Sequence, residues 1–167
     1  MPPLFGIAGY KNSGKTTLVE RLVREISSRG LKVSTIKHAH HNFDVDQKGR
    51  DSHRHRVAGA QEVAVVSANR WALIHELRGA DEPTMEEIAA KLSPCDLVIV
   101  EGYRDGPQPK LELRNVELDH PKISERDNRV LAIAANGLIE DTELPVFDRD
   151  DIGAIADFII AHCEVAL

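Results

Sequence analysis

Eight residues near the start of the chain, Gly9-Tyr10-Lys11-Asn12-Ser13-Gly14-Lys15-Thr16, have the types and spacing of a phosphate-binding loop, G-x-x-x-x-G-K-[ST]. The chemistry is anion capture. Consecutive backbone N–H groups form a concave nest at a helix N-terminus, where the peptide dipoles also favour negative charge. Gly9 and Gly14 permit the backbone angles, Lys15 reaches the terminal phosphates, the Thr16 hydroxyl ligates Mg²⁺, and Thr17 falls beside the first phosphate. A metal held this way needs a second acidic group, which in such folds ends a buried strand beside the loop. Glu101 closes the apolar run Leu97-Val98-Ile99-Val100, and Gly102 lets the chain turn away. Asp96 lies at the far end of the same run and is discounted. Lys15 and Glu101 are therefore the catalytic candidates, with Thr16, Glu101 and Asp46 as candidate metal ligands.

A second group of reactive residues follows. His38, His40, His41, Asp44, Asp46, Asp51, His53 and His55 crowd together after the second expected strand. That edge faces the ligand in open α/β sheets, since ligands bind at the carboxyl ends of strands. One reading gives these residues nucleotide, Mg²⁺ or substrate contacts, with Asp46 and Asp51 as the leading carboxylates. A second is a zinc site, because His and Asp ligate zinc, although H-x-H-H fits no specific metal pattern. A third is a solvated loop.

These residues need a scaffold, and the hydrophobic pattern supplies one. Leu4, Phe5, Ile7 and Ala8 read as a buried strand running into the loop. A helix over 15–29 follows, carrying Leu18, Val19, Leu22, Val23 and Ile26 at helical spacing, with Gly30 as its stop. Residues 31–37 form a second strand rich in β-branched side chains. Asp51 opens a short helix ending near Gly59. Residues 63–66 and 71–77 form a hairpin, turning at 67–70. Thr84-x-x-Glu87 is a capping box that begins a helix with Met85, Ile88, Ala89 and Leu92. The unbroken run from Leu97 to Val100 suits a central parallel strand covered on both faces. Residues 110–114 alternate charged and apolar side chains, with Leu111 and Leu113 facing one way. Residues 115–129, dense in charge, read as a mobile surface loop; 130–135 and 145–147 are further strands. A last helix begins near Asp151, with Ile152, Ile155, Ala156, Ile159 and Cys163 on one face. The whole is an α/β, P-loop NTPase three-layer fold in a single domain over 1–167, mostly parallel with an added antiparallel hairpin.

Composition narrows the function classes. The 167 residues are 42% hydrophobic and 29% charged, ordinary values for a soluble domain. A net charge of −6 argues against non-specific nucleic-acid binding. No apolar run approaches the roughly 18 residues of a membrane span. Met1-Pro2-Pro3-Leu4 lacks the basic start of a signal peptide, so the expectation is a cytoplasmic protein. Cys95 and Cys163 are too few for a disulfide framework and read as buried thiols.

Four segments together resemble the MobB family of molybdopterin-guanine dinucleotide biosynthesis adaptor proteins. They are Gly6 to Thr17; Thr35-Ile36-Lys37-His38-Ala39-His40-His41 leading into Phe43-Asp44-Val45-Asp46; Gly49-Arg50-Asp51-Ser52 with Arg54 and Ala58-Gly59-Ala60; and Asp96 to Tyr103 with Lys110 beyond. The resemblance implies a homodimeric GTP-binding protein with weak Mg²⁺-dependent GTPase activity. Its partner would be a MobA-type guanylyltransferase, which joins GMP to molybdopterin, and molybdopterin itself is a further candidate ligand. By position, Gly9, Tyr10, Lys11, Asn12, Ser13, Gly14, Lys15, Thr16 and Thr17 bind the nucleotide. A second-ligand cleft is lined by His38, His40, His41, Asp51, Arg54 and Lys110. The hairpin near Trp71 offers a free edge for pairing across a two-fold axis. Two positions depart from related proteins. Tyr10 stands where many dimeric members of this NTPase class carry a signature lysine, and no N-K-x-D guanine-reading motif occurs. Asn136, at the end of a strand, is a candidate base reader; a plain turn asparagine before Gly137 is the other reading.

Three functions use such a loop: a GTP-binding accessory protein, a small-molecule kinase, and a binding module without turnover. A kinase needs an acceptor-activating base, for which Asp44 or Asp46 is available, and an arginine-rich lid, for which Lys122, Arg126 and Arg129 are available.

Overall fold

The computed structural model describes residues 1–39, 43–44 and 46–166. The chain groups into two compact units, Met1–His38 with Met85–Leu167, and Ala39–Thr84.

The first unit is built on a six-stranded parallel sheet. Its strands are β1 (Leu4–Ala8), β2 (Val33–Lys37), β5 (Leu97–Glu101), β6 (Lys110–Arg114), β7 (Val130–Ala135) and β8 (Val146–Asp148), in the spatial order β2-β5-β1-β6-β7-β8. Strands buried on both faces can be apolar throughout, and β5 is buried at every position. Its side chains divide by parity. Leu97 and Ile99 join the cluster under α1 (Lys15–Ser28) and α4 (Ile152–His162), while Val98 and Val100 join the one under α3 (Met85–Ala89). Helix α1 turns Leu18, Val19, Leu22 and Ile26 inward, as their spacing requires. Asp151 caps α4 by accepting a hydrogen bond from the Ala154 N–H at 3.1 Å.

Strand β6 departs from its alternating sequence. Flanked by β1 and β7, it buries Lys110 and Glu112 as fully as Leu111 and Leu113. The Lys110 ammonium donates to Asp127 Oδ2 at 2.7 Å, Arg104 O at 2.9 Å and Gly106 O at 2.8 Å. Glu112 accepts from the Ile123 and Ser124 N–H groups and pairs with Arg114. Residues 115–129 contain no helix or strand, yet these two buried charges, with buried Ile123, pin the segment to the sheet.

The second unit holds α2 (Asp51–Val57) and the antiparallel hairpin β3 (Glu62–Val66) and β4 (Trp71–His75). Arg56 ties it together, donating to Asp44 at 2.8 Å and Glu76 at 2.6 Å and lying 3.5 Å from Asp46. On one face of the hairpin Val66 pairs with Trp71 and Ala64 with Leu73. Val66, Trp71 and Leu73 are 74%, 68% and 50% exposed, an apolar surface without cover among the described residues.

Candidate functional site

The phosphate loop joins β1 to α1, at the carboxyl edge of the sheet where ligands bind in such folds. Its shape depends on Gly9, because a Cβ there would meet Ser13 Oγ at 2.7 Å and the Leu113 carbonyl at 2.8 Å. Lys15, Thr16 and Thr17 form the first turn of α1, where backbone N–H groups have no intrahelical acceptor. The Lys15 ammonium folds back onto Tyr10 O at 2.8 Å. Burial lowers its pKa; Glu101 works against that shift and Lys37 adds to it.

Glu101 ends β5, the strand hydrogen-bonded to β1, so the parallel register carries its carboxylate to the loop. It is 8% exposed. Thr16 Oγ1 donates to Glu101 Oε1 at 2.8 Å. Lys37, its Cα partner on β2, approaches the same oxygen at 3.2 Å and lies 3.4 Å from Thr16 Oγ1. The chain then turns at Gly102, whose φ is +92° and whose Cβ would come within 2.9 Å of His38 Cβ. A threonine hydroxyl hydrogen-bonded to a buried carboxylate suits a hard cation: the hydroxyl directs its O–H at Glu101 and presents its lone pairs outward. Thr16 and Glu101 therefore fit Mg²⁺ beside bound phosphates.

Two cavities flank the loop, both touching Ser13 and Leu113. The larger, about 420 Å³, is walled by Tyr10, His120, Arg114, Lys122, Leu138 and Asp141 among others. The Tyr10 ring stacks on His120 at 4.9 Å, with the Arg104 guanidinium 5.3 Å from its centroid. Ser13 Oγ and Arg114 Nε are buried without a hydrogen-bond partner among the described residues, and both residues line this cavity. The smaller, about 190 Å³, touches Gly14, Thr17 and Leu18 and is walled by Arg21, Arg149 and the Arg21 partner Asp150.

Other residues singled out in the sequence have different places. Lys110 is 0% exposed, and three contacts within the fold take its ammonium donors. The Asn136 amide faces its own chain, donating to Asn115 Oδ1 and accepting from the Val116 N–H. Asp96 is at the opposite end of β5, accepting from the Lys32 N–H at 2.7 Å. The His38 ring packs against that of Tyr103 with centroids 4.4 Å apart and the planes tilted by 32°. Asp46, Asp51 and Arg54 belong to the second unit. There Asp46 accepts from Ser52 Oγ at 2.7 Å, and Asp51 and Arg54 are exposed, 3.9 Å apart. His40 and His41 lie outside the described residues. Among the described residues no three His, Cys, Asp or Glu side chains converge as a metal site would require. Of the lysine and arginines read as a kinase lid, Lys122 pairs with Asp141 and Glu125, and Arg129 with Asp127.

Sequence reasoning missed the approach of Lys37 to Glu101 and the charged walls of both cavities. Only strand register links Lys37 to Glu101, and no local motif encodes register.

A parallel sheet with this loop after its first strand and a carboxylate ending the neighbouring strand places the chain in the P-loop NTPase fold class. Comparison with known proteins narrows the class. The family model described as "Molybdopterin guanine dinucleotide synthesis protein B" matches residues 4–136, and the chain belongs to this family, MobB. It is 41% identical over 160 residues to the molybdopterin-guanine dinucleotide biosynthesis adapter protein of Haemophilus influenzae, covering 94% of this chain and 87% of the relative. The Escherichia coli adapter protein is 34% identical over 163 residues, covering 96% and 93%. Among solved structures, Bacillus subtilis MobB superposes with a TM-score of 0.75 at 28% identity, covering 95% of this chain and 96% of that one.

Proposed function

We propose that the chain is a GTP-binding adapter in molybdopterin-guanine dinucleotide biosynthesis, with weak Mg²⁺-dependent GTPase activity. It assists a MobA-type guanylyltransferase in attaching GMP to molybdopterin. The observation that carries this reading is the Thr16–Glu101 contact at the phosphate loop, in a chain whose relatives are named as adapters of that biosynthesis.

The mechanism follows from the residues. Backbone N–H groups from Gly9 to Thr17 take the phosphates, and Lys15 releases Tyr10 O to reach the terminal ones. Thr16 and Glu101 would hold Mg²⁺, whose charge would offset that on the phosphate oxygens. The cavities on either side of Ser13 and Leu113 give room for the base and for a second ligand such as molybdopterin. Turnover is weak because no motif in the chain places a water-orienting glutamine or an arginine finger. A partner's arginine can add about 10³–10⁵ in rate. The exposed face of Val66, Trp71 and Leu73 supports a homodimer built on the hairpin. Among the described residues no helix is long and apolar enough to cross a membrane, and the working compartment is the cytoplasm.

The test is equilibrium binding and turnover with GTP and ATP, with and without a MobA-type partner. Mg²⁺-dependent GTP binding, with slow hydrolysis that the partner alters, is the expected result. Preference for ATP with phosphoryl transfer to a small acceptor would instead make the chain a kinase.

A further inference from the structure

Lys37 holds a position that the proposed reading leaves without a role. Its Nζ lies 3.2 Å from Glu101 Oε1 and 3.4 Å from Thr16 Oγ1, the two oxygens assigned to the metal. The polarity is also that of metal ligation. Thr16 donates its O–H to Glu101 at 2.8 Å, so Lys37 donates into the lone pairs that a divalent ion would use. Strand register fixes the arrangement, since Lys37 and Glu101 are Cα partners on β2 and β5. The Glu101 side chain is only 11% exposed, and a carboxylate so buried is costly without a cation facing it. The Lys37 side chain is 59% exposed on a flexible stem, so it has room to leave. Mg²⁺ sits about 2.1 Å from its ligands, and an ammonium within hydrogen-bonding distance of the same two oxygens would repel it at close range.

We propose that Lys37 is a built-in counter-cation that occupies the Mg²⁺ position of the nucleotide-free protein and is exchanged for the metal when Mg²⁺–nucleotide binds. The inference rests on the Mg²⁺–nucleotide reading above. It makes metal binding a swap of cations and weakens the affinity for free divalent ions. A half-exposed ion pair is weak, so its removal tightens divalent binding by about two- to fivefold.

The test uses Mn²⁺ as a paramagnetic probe, titrated into the full chain with and without GTP and followed by its free-ion signal. Nucleotide affinity is measured separately in EDTA. K37M is expected to bind Mn²⁺ about two- to fivefold more tightly than wild type, and K37R, which keeps the charge, to match wild type. GTP affinity in EDTA should change less than about threefold in K37M. Unchanged or weaker Mn²⁺ binding by K37M, with its melting transition intact, overturns the exchange. So does a tenfold loss of GTP affinity in EDTA, which would make Lys37 a phosphate ligand. If neither protein binds Mn²⁺ even with GTP, the Mg²⁺–nucleotide reading falls and the exchange with it. If GTP binds with Mn²⁺ in both but K37M is indistinguishable from wild type, only the exchange falls.

Discussion

Replacing Lys110 with methionine removes a charge from the middle of the sheet and leaves the side-chain volume nearly intact. In the wild type the ammonium is fully buried and bound by Asp127 Oδ2 at 2.7 Å and by the carbonyls of Arg104 and Gly106. At 2.7 Å the gross attraction within the Lys110–Asp127 pair is about 6 kcal/mol for an effective dielectric near 20. Desolvation offsets much of it. Breaking such a pair by removing one partner costs about 3–5 kcal/mol, because the other charge stays buried. For a chain of this size that lowers the melting temperature by about 6–20 °C. The assay is thermal and urea unfolding of K110M, and then of K110M/D127N, which removes the stranded charge and should recover part of the loss. Acid unfolding gives an independent readout. Burial is the strongest single influence on Asp127 and disfavours its ionisation, but hydrogen bonds from Arg129 and Lys110 outweigh it and hold the carboxyl below its usual range. A carboxylate with a lowered folded pKa stabilises the fold above its unfolded value, about 3.9, and that stability drains away as pH falls below it. K110M should therefore lose stability less steeply below about pH 4. A K110M protein as stable as wild type but deficient in ligand binding would refute this account and return Lys110 to a ligand cleft.

Further outcomes follow from the same geometry. Glu101→Gln should lower GTP turnover more than GTP affinity, because it weakens the metal side of the site and leaves the phosphate nest; unchanged hydrolysis would remove Glu101 from the mechanism. Trp71→Glu places a charge on the exposed hairpin face and should shift the chain toward monomer in analytical ultracentrifugation, with its melting transition kept; an unshifted assembly would place the interface elsewhere. Burial pushes the Cys163 thiol up to about 11, so its alkylation at pH 7.5 should be far slower than that of a free thiol; rapid labelling of Cys163 in the folded chain would contradict its packing against the core under α1 and α4.

Features encoded locally were legible in the sequence. The phosphate loop, the helix over Leu18, Val19, Leu22 and Ile26, and the apolar β5 each declare themselves within a few residues. Glu101 was legible too, because the end of a buried strand is a defined position beside the loop. What escaped depends on distant pairing. Alternating charges in Lys110 to Arg114 look like a strand with one solvated face, and only Asp127 and the Ile123 and Ser124 amides show why Lys110 and Glu112 turn inward. Lys37 reaches Glu101 and Thr16 through register with a strand some sixty residues away. Asn136 has the strand-end position of a base reader, yet its amide ties β7 to the chain following β6. The resemblance to MobB proteins pointed to the family, which the match over residues 4–136 confirms.

The most direct test of the central claim, that this loop grips a nucleotide through its phosphates with Mg²⁺ at Thr16 and Glu101, is calorimetric titration of GTP with Mg²⁺ into the wild type and Lys15→Ala. Removal of an ammonium that reaches the terminal phosphates should cost about 2–3 kcal/mol, roughly a 30- to 150-fold loss in GTP affinity, with a smaller loss for GMP. Equal GTP affinity in the two proteins would contradict the account.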